Sequence, residues 1–256
     1  MIPLSSVHAS FAKKGGMSAV DVVKSAIEKH KDKVAVGWSG GRASTVILRM
    51  ALDIDPDVKA IFEDTGVEYP ATYDFIKRMT KEWNVNLTTT KPLMTFWECV
   101  KKYGYPKIRT EKNHTPKCCS YLKERPLAKA VKEMRITALI DGIQACESHM
   151  RKMVIGYRGQ SYYAKSAGVW KYHPIAYWSQ KELKDYIANN DLPVNEAYGK
   201  YQIERTGCWP CTGYLSWERV MVKTNPKFFA LMKERMGQRI MEHYFNSQVA
   251  PCGERA

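Results

Sequence analysis

Four cysteines form two close pairs in the sequence, and thiols in such pairs can bind metal. Cys118 and Cys119 are adjacent in KCCSYLK, whereas Cys208 and Cys211 lie three positions apart in GCWPC. Four thiolates in two clusters suit zinc or an iron–sulfur cluster, and a redox disulfide between Cys208 and Cys211 is a third reading. Adjacent cysteines direct their side chains differently, which fits tetrahedral zinc poorly but can serve two corners of a cubane. The spacing therefore favours an iron–sulfur cluster over the other two.

A glycine-rich turn, WSGGRAST (38–45), is the second candidate site. Its glycines permit positive φ and close backbone approach, and the helix that follows directs free N–H groups at the turn, which suits a phosphate or sulfate. The spacing matches neither GxxxxGK[ST] nor GxGxxG. A plain connection between strand and helix is the alternative reading. The candidate anion-binding residues are Ser39, Gly40, Gly41, Arg42, Ser44 and Thr45.

A second loop, FEDTGVEYP (62–70), places Asp64, Thr65 and Gly66 after the next predicted strand. In open α/β sheets, ligands bind outside the carboxyl ends of the strands. These three residues are therefore candidates for the same site. The alternative is a tight turn with Asp64 as a helix cap.

The elements that position these loops alternate regularly over the first 90 residues. The predicted strands cover 33–38, 58–66 and 85–92, and the predicted helices cover 17–32, 43–55 and 70–84. Strands that alternate with helices predict βαβ units and a parallel sheet flanked by helices. Ser18 is the expected N-cap of the first helix, and Pro70 the expected first residue of the third.

The remaining elements are less regular. We expect a helix over 95–103, a basic loop over 104–117, a helix over 120–134 with a break or new start at Arg125–Pro126, and a strand over 136–143. The polar, aromatic stretch 145–175 predicts a mobile or substrate-covering loop. A capping box of Ser179 and Glu182 opens a helix over 179–191. The predicted domains are an N-terminal helical segment (1–32), a nucleotide-binding α/β domain with the metal site (33–215) and a helical C-terminal extension with a short tail (216–256).

Charge and composition limit the functional classes. The 256 residues carry a formal net charge of +14, which favours anionic partners such as nucleotides, sulfate esters, nucleic acid or an acidic protein; a solvated basic surface is the alternative. No apolar run approaches about 18 residues, and the N-terminus lacks the pattern of a secretory signal. We therefore expect a cytoplasmic protein without a membrane partner, in which an odd cysteine count indicates metal binding or catalysis before disulfides.

Together these motifs resemble the phosphoadenosine phosphosulfate / adenosine phosphosulfate reductase family of the PP-loop superfamily. The likeness is carried, in the family's order, by SGGRAST (39–45), DTGVEYPATYDF (64–75), CCSYLKERPL (118–127), HPIAYWSQKELKDYIANNDLPVN (173–195) and GCWPCTG (207–213). The resemblance implies the adenine nucleotide alpha hydrolase-like fold and a [4Fe–4S] cluster bound by Cys118, Cys119, Cys208 and Cys211.

The resemblance also implies roles for single residues. Lys123 matches the lysine of a CCxxxK pattern that lies between the cluster and the substrate sulfate. The SGG turn would face the phosphate or sulfate end of the substrate, and Asp64, Thr65 and Gly66 would line the nucleotide site. Arg151 occupies the position of an arginine that follows a GLRR-type stretch, although that stretch is absent here.

Two departures from the family pattern affect the expected chemistry. The reductases end in a Glu-Cys-Gly-Leu/Ile-His segment whose cysteine attacks the sulfate sulfur, whereas this tail reads Pro251-Cys252-Gly253-Glu254. Cys252 is therefore either the nucleophile or an idle surface cysteine. Ala43 stands where related ATP pyrophosphatases, with SGGxDS, carry an acid that assists Mg²⁺. The stretch 216–237 resembles the helical ending of broader family members, which include adenylating sulfurtransferases acting on tRNA or DNA.

Three functions follow as hypotheses. The first is a sulfonucleotide reductase that releases sulfite from adenylyl sulfate or phosphoadenylyl sulfate through a cysteine S-sulfonate, with a dithiol donor such as thioredoxin. The second is an ATP-dependent adenylating sulfurtransferase acting on tRNA or DNA, for which the basic charge is the main argument. The third is a non-catalytic iron–sulfur subunit. A homo-oligomer is compatible with all three.

Overall fold

The computed structural model describes residues 16–106, 116–213 and 217–236. The strands are β1 (Val34–Gly37), β2 (Lys59–Glu63), β3 (Asn86–Thr90), β4 (Ala138–Ile140), β5 (Ser161–Ala164) and β6 (Val169–Tyr172). They form one sheet in the order β3-β2-β1-β4-β6-β5. All neighbouring strands pair in parallel except β5, which pairs antiparallel with β6 at the edge. The predicted parallel α/β sheet flanked by helices is confirmed.

The helices lie mainly between and after these strands. They are α1 (Ala19–His30), α2 (Arg42–Ile54), α3 (Pro70–Glu82), α4 (Phe96–Tyr103), α5 (Lys117–Cys119), α6 (Arg125–Glu133), α7 (His149–Arg158), α8 (Gln180–Asn189), α9 (Ala197–Lys200), α10 (Trp217–Thr224) and α11 (Pro226–Met236). Among the helices of the described ranges, none combines the length and apolar composition that a membrane-spanning helix requires.

Helices cover both faces of the sheet because strand side chains alternate between the faces. On one face, Val36 of β1 and Ile140 of β4 pack in a core with side chains of α1, α2, α3 and α8. On the other face, Ala35, Ile61 and Leu139 pack against Val131 of α6. Each large side chain that is fully buried in this way contributes roughly 1.5–3 kcal/mol.

Local capping chemistry places the helix starts where the sequence predicted them. The Ser18 hydroxyl accepts from the Asp21 N–H at 3.2 Å and caps α1. Ser179 and Glu182 form the predicted capping box at the start of α8, and Pro70 opens α3. Because these interactions join residues three positions apart, they can be read from the sequence.

The prediction of a long loop over 145–175 was wrong. This stretch contains α7 and the hairpin of β5 and β6, and β6 pairs in parallel with β4 inside the sheet. Gly159 and Gly168 adopt positive φ (74° and 66°) at the two turns that flank β5. Both strands have only four residues, which is too short for an alternating pattern to be distinct in sequence.

The segment after the cysteine pair is helical without interruption. A π-helical turn (Ser120–Glu124) joins α5 to α6, and α-helical hydrogen bonding restarts at Arg125. The new start predicted at Arg125–Pro126 is therefore confirmed, but the chain does not break there. Pro126 lies at the start of α6, and the Tyr121 carbonyl oxygen, one π-helical turn earlier, accepts from the Leu93 N–H at 3.0 Å.

The strand order reverses between β1 and β4, because β2 and β3 lie on one side of β1 and the later strands lie on the other. Open α/β sheets bind ligands at such a switch point. Gly142 follows β4, and a Cβ atom placed on it would lie 2.7 Å from the carbonyl carbon of Ala43 and 2.9 Å from the Ser44 nitrogen. Since no side chain fits there, the backbone after β4 packs directly on the first turn of α2. This contact joins the loop after β1 to the loop after β4.

Candidate functional site

The glycine-rich turn leads from β1 into α2 at the carboxyl edge of the sheet. Gly40 has φ +70°, and its carbonyl oxygen accepts from Asn195 Nδ2 at 3.0 Å. Gly41 is the N-cap of α2, and a Cβ atom there would lie 3.0 Å from the Thr206 hydroxyl. Gly40 therefore suits the turn by its backbone conformation, and a side chain at position 41 would crowd Thr206.

The hydroxyl groups of this turn bond within it. Ser44 donates to the Gly41 carbonyl oxygen at 3.0 Å, and its oxygen accepts from the Ser39 N–H at 3.2 Å. Thr45 is buried and accepts from Trp38 Nε1 at 3.1 Å. These bonds fix the turn in one shape. Anion binding by Ser39, Ser44 and Thr45 stays a prediction.

Arg42 is held in place by Tyr198 of α9. The Arg42 N–H donates to the Tyr198 hydroxyl at 3.1 Å, and its guanidinium lies 3.8 Å from the centre of the Tyr198 ring. Stacking on an aromatic ring restricts a guanidinium while leaving its N–H donors free for an anion. The arrangement can present a positive charge at the start of α2, where the helix dipole also favours an anion.

The second loop is closed by its own polar groups. Asp64 Oδ1 accepts from the Gly66 N–H at 2.8 Å and from the Tyr73 hydroxyl at 2.7 Å. The buried Thr65 hydroxyl donates to Glu68 at 2.9 Å. Gly66 has φ +74°, which a turn of this kind requires. The loop after β2 is thus rigid at the edge where the first loop also lies.

The two cysteine pairs, distant in sequence, meet in the folded chain. Cys118, Cys119 and Cys208 belong to one apolar cluster with Phe96 and Leu122. Cys211 interacts electrostatically with Cys118 and Cys119. All four thiols are free of disulfides. Cysteine thiolates are the usual ligands of zinc and of iron–sulfur clusters, so the residue types suit either kind of centre.

Backbone contacts fix the second pair beside the loop after β2. The Trp209 N–H donates to the Val67 carbonyl oxygen at 2.9 Å, and Glu68 and Cys208 form an isolated antiparallel bridge. The Thr65 hydroxyl favours a lower pKa of Cys208, against the larger effect of burial. Within the ranges that the structure describes, no three His, Cys, Asp or Glu side chains converge on a single-ion site.

Acidity differs sharply among the thiols. The hydrogen bond with Cys118, assisted by the charge of Lys123, lowers the pKa of Cys119 to about 7, although burial opposes this. The same hydrogen bond raises the pKa of Cys118. Burial raises the pKa of Cys208 to about 12. Of the four thiols, Cys119 is therefore the one most readily ionised.

Lys123 lies on the π-helical turn that follows Cys118 and Cys119, and its charge interacts with that of Cys208 and that of Glu63 at the end of β2. Burial disfavours its charged form, but the charges of Cys208, Glu68 and Glu63 raise the pKa of Lys123 above its ordinary value. No described carboxylate lies within 4 Å of its ammonium group. Among the described residues, the Lys123 ammonium thus has no ion-pair partner, which leaves it able to bind an anion.

Further charged groups at this edge were not predicted from the sequence. His173 Nδ1 lies 2.6 Å from Asp141 Oδ1, and His173 is buried. Burial raises the pKa of Glu63, which the charges of Lys123 and Lys171 oppose. The strands that carry these residues are short and partly polar. Their proximity depends on strand order, which the sequence does not display.

Not every predicted residue enters this site. Arg151 lies exposed on α7, where its N–H donates to Ser148 and its guanidinium pairs with Glu147. Its role in binding stays a prediction. Cys252 lies outside the described residues. Asn195 and Tyr198, which hold the glycine turn, were missed, although Asn195 ends a segment that carries the family resemblance.

Comparison of the sequence with protein families finds a match over most of the chain. The model described as the phosphoadenosine phosphosulfate reductase domain matches residues 33–214. The chain is 28% identical to an adenosine 5'-phosphosulfate reductase of Staphylococcus haemolyticus, over 82% of this chain and 81% of that protein. It is 31% identical to an uncharacterized protein of Methanocaldococcus jannaschii over 80% of this chain. That match spans only about half (48%) of the Methanocaldococcus protein.

Comparison of structures identifies the fold. A phosphoadenylyl-sulfate reductase from Candida auris, solved as a phosphate complex, superimposes with a TM-score of 0.58 at 24% identity, over 75% of this chain and 89% of that one. A U34-tRNA thiolase from Methanococcus maripaludis, solved with its [4Fe–4S] cluster, superimposes with a TM-score of 0.53 at 16% identity, over 93% and 84%. At such identities the likeness establishes the fold alone.

Proposed function

The chain belongs to the phosphoadenosine phosphosulfate reductase domain family, and from this premise we propose that it is a sulfonucleotide reductase. Its substrate would be adenylyl sulfate or phosphoadenylyl sulfate, and its product sulfite. The observation that carries the proposal is the ammonium group of Lys123, which interacts electrostatically with Cys208, Cys119 and Glu63 but has no described carboxylate within 4 Å. The named relatives of similar length are adenosine 5'-phosphosulfate reductases, which supports the same reaction class.

The nucleotide would bind across the loops after β1 and β2. Arg42, stacked on Tyr198, and the N-terminus of α2 would bind its phosphate. Asp64, Thr65 and Gly66 would line the nucleotide, and Arg151 would contact it if the nucleotide extends to α7. Ala43 offers no ligand to Mg²⁺, which supports an already activated sulfonucleotide over Mg-ATP as the substrate.

A [4Fe–4S] cluster is the cofactor that the family resemblance implies. The four free thiols are a suitable donor set, because Fe–S clusters are held by cysteine thiolates. They do not converge as ligands of a single ion do, and thiolates at the corners of a cubane lie farther apart than that. The cluster would be held by Cys118, Cys119, Cys208 and Cys211. Its role beside the substrate would be electrostatic and structural.

The chemical step assigned to this chain is a thiol displacement. The Cys252 thiolate would attack the sulfate sulfur, so that an S–S bond forms and the S–O bond to the phosphate breaks. The nucleotide would leave with the electron pair of that bond, and Lys123 would stabilise its charge. A dithiol donor such as thioredoxin would then attack the Cys252 sulfur. Sulfite would leave with the S–S electron pair, and a mixed disulfide between the donor and Cys252 would form. The second thiol of the donor would then attack the donor sulfur of this mixed disulfide, so that Cys252 leaves as a thiolate and the donor ends as a disulfide.

A second function is favoured by the fold of the tRNA thiolase, which superimposes on 93% of this chain, together with the net charge of +14. In this alternative the protein would adenylate a tRNA or DNA acceptor with ATP and then transfer sulfur. Pyrophosphate, rather than sulfite, would be its inorganic product. A non-catalytic iron–sulfur subunit would release neither.

The test is one assay with two substrates. Protein purified without oxygen is incubated with a dithiol donor and either sulfonucleotide, and separately with Mg-ATP, and sulfite and pyrophosphate are measured. Our proposal predicts sulfite release that Cys252→Ser abolishes and Lys123→Met reduces at least tenfold, whereas Cys146→Ser retains it. Pyrophosphate without sulfite would support the sulfurtransferase, and the absence of both would support the subunit.

A separate measurement addresses the cofactor. The wild type and Cys146→Ser should carry iron and sulfide with broad visible absorbance, and Cys208→Ser should lose them. Stoichiometric zinc in place of iron would contradict the cluster without deciding the substrate.

A further inference from the structure

A basic groove runs along the amino edge of the sheet, opposite the site described above. Two adjoining hollows, of about 490 and 510 Å³, share Lys33, Thr137 and Gly168 as lining residues. We call the joined hollows the amino-edge groove. Lys33 precedes β1, Thr137 precedes β4 and Gly168 precedes β6. The groove thus follows the starts of three neighbouring strands.

The positive charges of the groove are not neutralised. Its cationic side chains are Lys29, Lys31, Lys33, Lys132 and Arg135, against the single acidic side chain of Asp32. All five cations are exposed. Within the described ranges, no carboxylate lies within 4 Å of any of them. Like charges gathered in this way repel one another, and a polyanion bound in the groove would remove that cost.

Aromatic rings flank the same groove in fixed positions. The Lys29 ammonium lies 3.7 Å from the centre of the Trp170 ring, and the half-exposed Tyr163 ring lies 6.0 Å from Trp170. His30 lines the groove, and its ring is held by two hydrogen bonds. Its Nδ1 lies 3.0 Å from the Thr137 hydroxyl and its Nε2 lies 3.1 Å from the Tyr172 hydroxyl. Rings held in place beside cations can stack with unpaired bases while the cations bind phosphates.

The location separates this groove from the nucleotide site. Lys33 and Ser39 lie on either side of β1 and are six residues apart, which at about 3.3 Å per residue of extended chain is about 20 Å. A mononucleotide at the glycine turn does not span that distance. A dithiol donor must reach the carboxyl edge of the sheet, where the cysteine S-sulfonate would form. The groove at the amino edge is therefore not placed to bind that donor.

We propose that the amino-edge groove binds a single-stranded nucleic acid through its phosphates and bases. The ligand chemistry is a chain of phosphodiesters with exposed planar bases, which matches a line of cations with an accessible tyrosine. This property is independent of the reaction at the carboxyl edge. It holds whether or not the protein reduces a sulfonucleotide.

The test compares two variants with the same change in charge. Lys33→Glu with Arg135→Glu alters the groove, whereas Lys77→Glu with Lys81→Glu alters two exposed residues of α3. Binding of a labelled 20-nucleotide RNA and DNA strand is measured over a range of salt concentrations. We expect the groove variant to lose affinity at least tenfold and to reduce the salt slope by about two, with the α3 variant within twofold of wild type.

A further substitution tests the role of stacking. Tyr163→Ala should weaken binding of the single strands several-fold and leave binding of a duplex of the same sequence unchanged. Unfolding curves that match wild type show that each variant is folded. Equal losses in both charge variants, no binding of either strand, or preference for an acidic peptide over the oligonucleotides would overturn the proposal.

Discussion

Asp141 and His173 are joined across the carboxyl ends of β4 and β6, with 2.6 Å between Asp141 Oδ1 and His173 Nδ1. The Asp141 carboxylate also accepts from the Ile143 N–H at 3.3 Å. The pair therefore links the segment that contains Gly142 to the strand beside it. Since Gly142 packs on Ala43, this ion pair supports the same contact that positions the glycine-rich turn.

The ion pair gives a prediction about stability and its dependence on pH. Burial opposes ionisation, but the charge and hydrogen bond of His173 lower the pKa of Asp141 below its ordinary value. A carboxyl group whose pKa is lowered by folding stabilises the protein at every pH above its pKa in the unfolded chain, which is near 4. This stabilisation is lost as the pH falls from that value through the lower pKa of the folded state. His173→Ala should cost about 3 kcal/mol at pH 7, measured by urea denaturation. His173→Asn, which keeps a donor, should lose less; equal losses would contradict the hydrogen bond.

Removal of the Arg42 guanidinium should weaken nucleotide binding sharply. A charge-assisted hydrogen bond contributes about 1.5–3 kcal/mol, so Arg42→Ala should lower the affinity for adenylyl sulfate or AMP roughly 10- to 150-fold by calorimetry. Arg49→Ala, on the same helix and paired with Asp53 instead, is the matched control. Unchanged affinity in Arg42→Ala would remove this residue from the site.

Gly142→Ala tests the close contact between the loops after β1 and β4. The added methyl group would lie 2.7 Å from backbone of residue 43, so either loop must move. We expect a loss of about 1–3 kcal/mol in the free energy of unfolding, together with weaker nucleotide binding. Gly156→Ala is the control, because its Cβ would meet nothing within 4 Å and alanine favours a helix. A Gly142 variant as stable as wild type would disprove the contact.

Glu218 of α10 predicts an opposite dependence on pH. It is buried, its Oε1 has no hydrogen-bond partner in the described chain, and burial raises its pKa to about 7. A raised carboxyl pKa means that the folded state binds more protons, so the free energy of unfolding should fall as the pH rises from about 5 to 8. Glu218→Gln should abolish this slope, and Glu234→Gln on the exposed side of α11 should keep it. A slope that survives in Glu218→Gln would refute the assignment.

Local patterns in the sequence were sufficient for much of the fold. The strand and helix alternation, the capping box at Ser179 and the turn at Gly40 all depend on residues a few positions apart. Those features were predicted correctly because their physical causes, capping and backbone conformation, act over one turn. The hairpin of β5 and β6 was missed, since its strands are short and their place in the sheet depends on pairing with β4.

The sequence by itself determined which chemical groups are available. These are the paired cysteines, Lys123 four residues after Cys119, and a glycine turn followed by Arg42. The tertiary structure decided how they are combined. Parallel strands bring distant chain segments to one edge, so Cys208 lies beside the loop after β2, Tyr198 beneath Arg42, and His173 beside Asp141. Such contacts join residues up to 156 positions apart. They depend on strand order, which no local pattern of residues encodes.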